Sequence, residues 1–171
     1  KLVSPTNKRK IGIIVVGSTT RGPIGRLLLG GVGERLLAGG ACPVAVAPRG
    51  YGDRPGVGLQ CIGVGWDGSQ EARLALDTAV ALAQTCGARI RVITVFQRLA
   101  FGAATTTALP GASANEVMRN ELRAVHEQAI ADMPGDAETE TRFVEGSADD
   151  VLVAQSEDVD LLIVGSRGYG P

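Results

Sequence analysis

Apolar positions along this chain come in two recurring patterns. Ile11–Gly17 (IGIIVVG), a short continuous run rich in β-branched residues, reads as a strand buried on both faces, and Val159–Gly165 (VDLLIVG) again as a buried strand; Leu59–Asp67 (LQCIGVGWD) and Arg89–Phe96 (RIRVITVF) are further strands. Cys42–Pro48 (CPVAVAP) is a further short strand, and its prolines suit a strand start or an edge. Thr139–Gly146 (TETRFVEG) is another. Between them lie stretches of helical period. Ser69–Gly87 is the clearest: Ser69 can cap it, and Ala72, Leu76, Ala79, Val80 and Ala83 face one way. Asn115–Met133 reads as a second long helix, and Ser147–Asp158 as a short one opened by Ser147. Val32, Leu36 and Leu37 give a weaker stripe, stopped at Gly39-Gly40. Arg49–Gly58 holds Gly, Pro and charge without period and is the linker candidate. Gln97–Ala114 is long, small and irregular, which reads as a loop.

From Leu59 the order is strand, helix, strand, helix, strand, helix, strand. Such alternation predicts an α/β domain with a mainly parallel sheet and right-handed crossovers. Before the linker the order is strand, helix, strand. VVGSTTRGP at Val15–Pro23 and IVGSRGYGP at Ile163–Pro171 match without a gap, nearly a chain length apart. Gly17 pairs with Gly165, Ser18 with Ser166, Gly22 with Gly170 and Pro23 with Pro171. One strand and its loop therefore occur twice.

Composition narrows the function classes. Of 171 residues, 44% are apolar and 20% charged, so the chain can bury a core. The formal net charge is −1, with one short basic cluster at Lys8-Arg9-Lys10, so nucleic acid is not an expected partner. Cys42, Cys61 and Cys86 show no CxxC spacing, which points away from a disulfide framework or structural zinc. Their small and apolar neighbours predict buried free thiols in a reducing cytoplasmic compartment. No apolar stretch is long enough for a membrane span.

Chemistry is expected at the C-terminal ends of the strands, where open parallel sheets hold ligands. Asp67 closes one strand in GWDGS, and Gly165 closes another in VGSRGYG. Glycines there present bare N–H groups that suit a phosphate. A carboxylate nearby can accept hydrogen bonds from a sugar or a base amino group. The plainer readings are a turn for the glycines and a turn or cap for Asp67. GxGxxG and GxxxxGK[ST] are both absent, and nothing has the spacing of a catalytic triad. His126, the single histidine, lies mid-helix among charged residues and is expected at the surface. Trp66 is core or an adenine-pocket wall, with core the preferred reading.

These pieces resemble the universal stress protein family. The resemblance rests on IGVGWDGS, ALDTAVALAQTCGARIRVITVF and DVDLLIVGSRGYGP, and on IIVVGSTTRGPIGRLLLGGVGERLLAGGACPVAVAP at the front. It covers Ile11 to Pro171. It implies an open, mainly parallel five-stranded α/β sheet with helices on both faces, of the Rossmann-like, adenine nucleotide alpha hydrolase-like kind. The pieces occur in rotated order, so the expected organisation is tandem. Residues 1–48 would be the end of a first domain, 49–58 a linker, and 59–171 most of a second. The chain would be a fragment cut out of phase with the repeat.

Many members of that family bind ATP through G-x-x-G, nine residues, then G-[ST]. Carried over by position, the resemblance implies a nucleotide site at Asp67, Val95, Gly165, Ser166, Arg167, Gly168 and Gly170. Asp67 would meet the adenosine and Val95 would pack near the base. A second, degenerate site would involve Gly17, Ser18, Thr20, Gly30 and Gly31. There Thr20 stands where a glycine is wanted, and Gly31 lacks the hydroxyl of Ser or Thr. ATP, with or without Mg2+, is the expected cofactor, and neither a catalytic residue nor a structural metal is expected. The implied function is a nucleotide-dependent stress-response regulator without efficient catalysis. The alternatives are an interaction module of the same fold and an enzyme of the related ATP pyrophosphatase group, whose SGGxDS-type loop is missing. The Cys42–Pro48 strand would pair tandem domains or subunits.

Overall fold

The computed structural model describes residues 12–18, 20–21, 27–28, 31–39, 42–48, 50–53, 56, 58–97, 114–131, 133 and 137–166. The chain divides into two compact units, Lys1–Gly56 with Gly168–Pro171, and Val57–Arg167.

In the first unit, β1 (Ile14–Gly17) pairs in parallel with β4 (Val44–Ala47), from Ile14↔Val44 to Gly17↔Ala47. Parallel pairing needs a crossover, and α1 (Gly31–Gly39) lies within it. Three glycines in its nine residues make this helix intrinsically weak. Between β1 and α1, β2 (Thr20–Arg21) and β3 (Leu27–Leu28) form a short antiparallel ribbon that the sequence did not predict. The reading of β1 as buried on both faces is corrected. Its burial alternates, and Val15 is 64% exposed, so only one face of β1 is covered among the described residues.

The second unit holds the core. Its strands are β5 (Cys61–Gly65), β6 (Arg89–Phe96), β7 (Thr139–Glu145) and β8 (Leu161–Ile163), in the order β7-β6-β5-β8 and all parallel. The described strands thus form a four-stranded sheet here and two two-stranded ones in the first unit, not the expected five together. Central β5 and β6 are buried along nearly their whole length, which is why they read as continuous apolar runs. β7 alternates Thr, Glu and Arg as an edge strand does. β8 is only half-buried, since β5 is its one described sheet neighbour.

Helices cover both faces of this sheet. On one face α2 (Gln70–Cys86) packs Ala72, Ala75, Leu76, Ala79, Val80 and Ala83 onto Ile62, Val64, Ile90 and Val92. Ser69 Oγ accepts the Ala72 N–H at 3.1 Å, and Gly87 ends the helix in the left-handed conformation at φ 72°. α3 (Ala114–Ala131) lies on the same face, where His126 meets Thr94 of β6. α4 (Ala148–Gln155) covers the other face, where Leu152 lies against Gly65. Ser147 sits at its N-cap, but its hydroxyl donates to Asp149 instead of capping backbone.

Two expectations about side chains fail. His126 is buried, 4% exposed, because it points from α3 into the sheet. The thiols differ: Cys61 is buried in β5, Cys42 is half-buried, and Cys86 is exposed in the last turn of α2. Trp66 is buried, as the core reading expected.

Candidate functional site

The strand order sets where a ligand can sit. From β5 the chain moves through α2 to β6 on one side. β8 joins β5 on the other side after α4 has crossed the opposite face. The rim between β5 and β8 is therefore the switch in strand order, where a crevice opens above the strand ends.

Backbone register brings the expected residues to this rim. Gly65 lies opposite Ile93, so Asp67 and Val95, each two residues on, reach the same level. Val64 lies opposite Ile163, so Gly165 stands just past the end of β8. A Cβ on Gly165 would come within 2.6 Å of the Glu71 carbonyl carbon and 2.9 Å of the Ala72 nitrogen. Its backbone thus lies directly against the first turn of α2. Only glycine permits that approach, which places the loop after β8 beside a capped helix N-terminus.

Asp67 is exposed, and its Oδ1 accepts the Ser69 N–H at 3.0 Å. This turn makes Asp67 a local structural residue and also fixes its carboxylate at the rim. Ser166 is exposed and Val95 half-buried. Arg167, Gly168 and Gly170 of the expected site, and Gly30 of the degenerate one, lie outside the described residues. In the first unit Gly17 ends β1, the Ser18 N–H donates to the Ala47 carbonyl at 2.9 Å, Thr20 lies in the β2–β3 ribbon, and Gly31 starts α1.

Gly68 holds the turn in a conformation other residues resist, at φ 81°, and a Cβ there would stand 2.7 Å from Val125 Cγ1 of α3. Valine is stiff and does not swing away cheaply. Gly68→Ala should therefore destabilise the fold by about 1–2 kcal/mol, the cost of a left-handed residue with a Cβ. Urea unfolding of the variant checks this; an unchanged midpoint would mean the turn relaxes.

A hollow of about 670 Å³ opens between α2 and α3, lined among others by Trp66, Gly68, Ser69, Arg73, Val125 and Gln128. No sequence motif points to it. It shares none of Asp67, Val95 or Gly165, and its cation, Arg73, already pairs with Asp77 at 3.5 Å. It is broad and open, so the rim of the sheet remains the better candidate. No group of metal-ligating side chains occurs among the described residues.

Below the hollow lies a buried polar pair that sequence reading missed. His126 Nδ1 is 2.6 Å from Thr94 Oγ1, and the ring meets Phe143 edge-on at 6.4 Å. Burial lowers the imidazole pKa, and Glu127 opposes this only in part. The signal was available: Leu122, His126 and Ile130 share one helical stripe.

The family model described as the universal stress protein family matches residues 1–48 and 59–171. The chain belongs to the universal stress protein family. Among solved structures, a universal stress protein from Archaeoglobus fulgidus is similar over 94% of this chain and 51% of its own, at 19% identity and a TM-score of 0.54. This likeness concerns the fold. A member of the universal stress protein family from Burkholderia pseudomallei is 27% identical, with a TM-score of 0.49, covering 66% of this chain and 85% of its own. A universal stress protein crystallised in complex with cAMP is 25% identical, with a TM-score of 0.46, covering 66% of this chain and 80% of its own. No described helix of this universal stress protein is long and apolar enough to cross a membrane.

Proposed function

We propose that the Val57–Arg167 unit binds ATP at the rim between β5 and β8 and acts as a nucleotide-dependent stress-response switch without efficient turnover. The observation that carries this reading is the seat of Gly165 on the first turn of α2. It leaves a glycine backbone, a helix N-terminus and the Asp67 carboxylate around one crevice. Glu71 in that first turn disfavours a phosphate directly on the helix end. The phosphates would then lie on the backbone at Gly165 and Ser166, with adenosine toward Asp67 and Val95. Mg2+ would accompany the phosphates. Such a switch would work in the cytoplasm.

The first unit favours a second role. Thr20, in the position of the motif's second glycine, is held in a β-ribbon. This supports a unit that does not bind nucleotide and serves pairing, through the Cys42–Pro48 strand, between tandem domains or subunits. Under this proposal residues 1–48 and 59–171 belong to two repeats joined by 49–58.

Calorimetric titration tests the nucleotide reading. ATP, with and without Mg2+, should bind the wild-type chain, and AMP and cAMP serve as comparison ligands. Asp67→Asn keeps an oxygen for the Ser69 N–H but removes the charge. It should weaken ATP binding by about 10–100-fold, the worth of charged hydrogen bonds, with unfolding unchanged. No heat from ATP with a folded wild-type chain would refute the reading.

A further inference from the structure

We infer that His126 is an acid-sensitive latch that holds α3 on the sheet and, through Val125, holds the Gly68 turn of the candidate nucleotide site. The inference rests on the nucleotide reading only for its last link. The latch itself stands on the packing of α3.

The geometry gives the mechanism. Neutral His126 meets Thr94 with Nδ1, while Nε2 is buried without a partner among the described residues. Protonation puts N–H on both nitrogens. Nδ1–H can still donate to the Thr94 hydroxyl. Nε2–H then carries positive charge into a site with no described acceptor, which burial makes costly.

The surrounding charges do not remove that cost. On α3 itself, the Glu127 carboxylate favours the cation, but it is exposed. Arg123, also on α3, lies over the Phe143 ring at 5.4 Å from its centre. On this face β6 contributes uncharged Ile90, Val92, Thr94 and Phe96. β7 presents Phe143 there, with exposed Glu145 paired to Phe96 further along. α2 contributes Arg73 to the adjoining hollow, and the turn after β5 carries exposed Asp67.

The sign follows from burial. The folded chain binds this proton less readily than the unfolded chain does. Stability from the latch is complete above the ordinary imidazole value of about 6.5 and is lost as pH falls below it toward the lowered folded value. Release is transmitted by contact. Val125, the neighbour of His126, stands against Gly68 so closely that a Cβ there would lie at 2.7 Å. Gly68 follows Asp67 directly. Val125 and Trp66 also line the same hollow, so Trp66 senses the movement.

The chain has one histidine and one tryptophan, so each probe reports one site. The histidine ring proton resonance of the wild type should titrate below the ordinary value. Trp66 fluorescence should change over the same pH window. His126→Gln, which can still meet the Thr94 hydroxyl and does not titrate there, should show no such change. ATP should bind about tenfold more weakly at about pH 5 than at about pH 7.5 in wild type, within the ordinary range of coupling between sites. His126→Gln serves as the baseline for titration of ATP itself and should lack that extra loss. A histidine resonance with the ordinary value, or a Trp66 transition that persists in His126→Gln, would overturn the latch. If ATP fails to bind near pH 7.5, the nucleotide reading fails while the histidine and tryptophan probes still decide the latch. If the latch titrates but affinity matches His126→Gln at both pH values, the link to the site is overturned.

Discussion

Gly165→Ala is expected to lower the stability of the second unit by about 2–3 kcal/mol, the upper range for overpacking a close contact. The new Cβ would meet the Glu71 carbonyl carbon at 2.6 Å, the Glu71 Cβ at 2.7 Å and the Ala72 nitrogen at 2.9 Å. Two of these three are backbone atoms of a capped helix, so no rotamer change relieves the clash. Either β8 or the first turn of α2 must move. The crevice between them is the proposed nucleotide site, so ATP affinity should fall with stability. Thermal unfolding should show a loss of about 10 °C or more for a unit of this size. Gly17, which matches Gly165 in the VVGSTTRGP segment, supplies the control. At Gly17 no described atom lies within 4 Å of an added Cβ, so Gly17→Ala should change little. Equal effects at the two glycines would show that the close seat of Gly165 is not what distinguishes them.

Glu140→Ala should cost a similar amount through charge. Arg91 sits on β6 with its side chain 8% exposed. Its Nε donates to Glu140 Oε2 at 3.0 Å, and Nη1 reaches the Asp158 carbonyl at 3.4 Å. Removing Glu140 leaves a buried guanidinium with one backbone acceptor. Breaking a fully buried pair costs 3–5 kcal/mol, but Glu140 is 34% exposed and water partly compensates, so about 2 kcal/mol is expected. Urea unfolding measures it, and Arg91→Met paired with Glu140→Leu should recover most of the loss. If Glu140→Ala is neutral, water already reaches the guanidinium. Burial pushes the Glu140 carboxyl up, but the hydrogen bond and charge of Arg91, with Arg142 and Arg89, hold it below the usual carboxylate range. The resulting stability is present above the unfolded carboxylate value of about 4.3 and disappears as pH falls through the folded one. That loss begins below about 4.3, whereas the histidine one begins below about 6.5.

The segment from β5 through α2 to β6 was legible because local and global signals agree there. Ser69 caps, Gly87 terminates, and the apolar stripe of α2 is the buried one. His126 was misread because Arg123 and Glu127 surround it in sequence, while its facing partner, Thr94, lies on another element. The β2–β3 ribbon carried no period long enough to see. Gly165 stood out in the sequence through its match with Gly17. Its actual constraint, the backbone of α2, belongs to packing and could not be read along the chain. Val95 came from family resemblance; register later set it level with Asp67.

One carboxylate at the opposite end of the sheet has a consequence for assembly. Asp160 Oδ2 accepts the N–H groups of Gln60 at 2.8 Å and Cys61 at 3.0 Å, and the Asp160 N–H donates to the Cys61 carbonyl at 2.9 Å. Gln60 and Asp160 are 100 residues apart in sequence. The pairs β5–β6 and β6–β7 close far shorter loops, and loop entropy favours them first. Closing β8 onto β5 spans the longest stretch of chain in this sheet, so its loop entropy is the largest, by about 1 kcal/mol over the β5–β6 pair. The rim between β5 and β8 joins residues a hundred apart in sequence, so the proposed binding crevice exists only once the two ends of this unit have met.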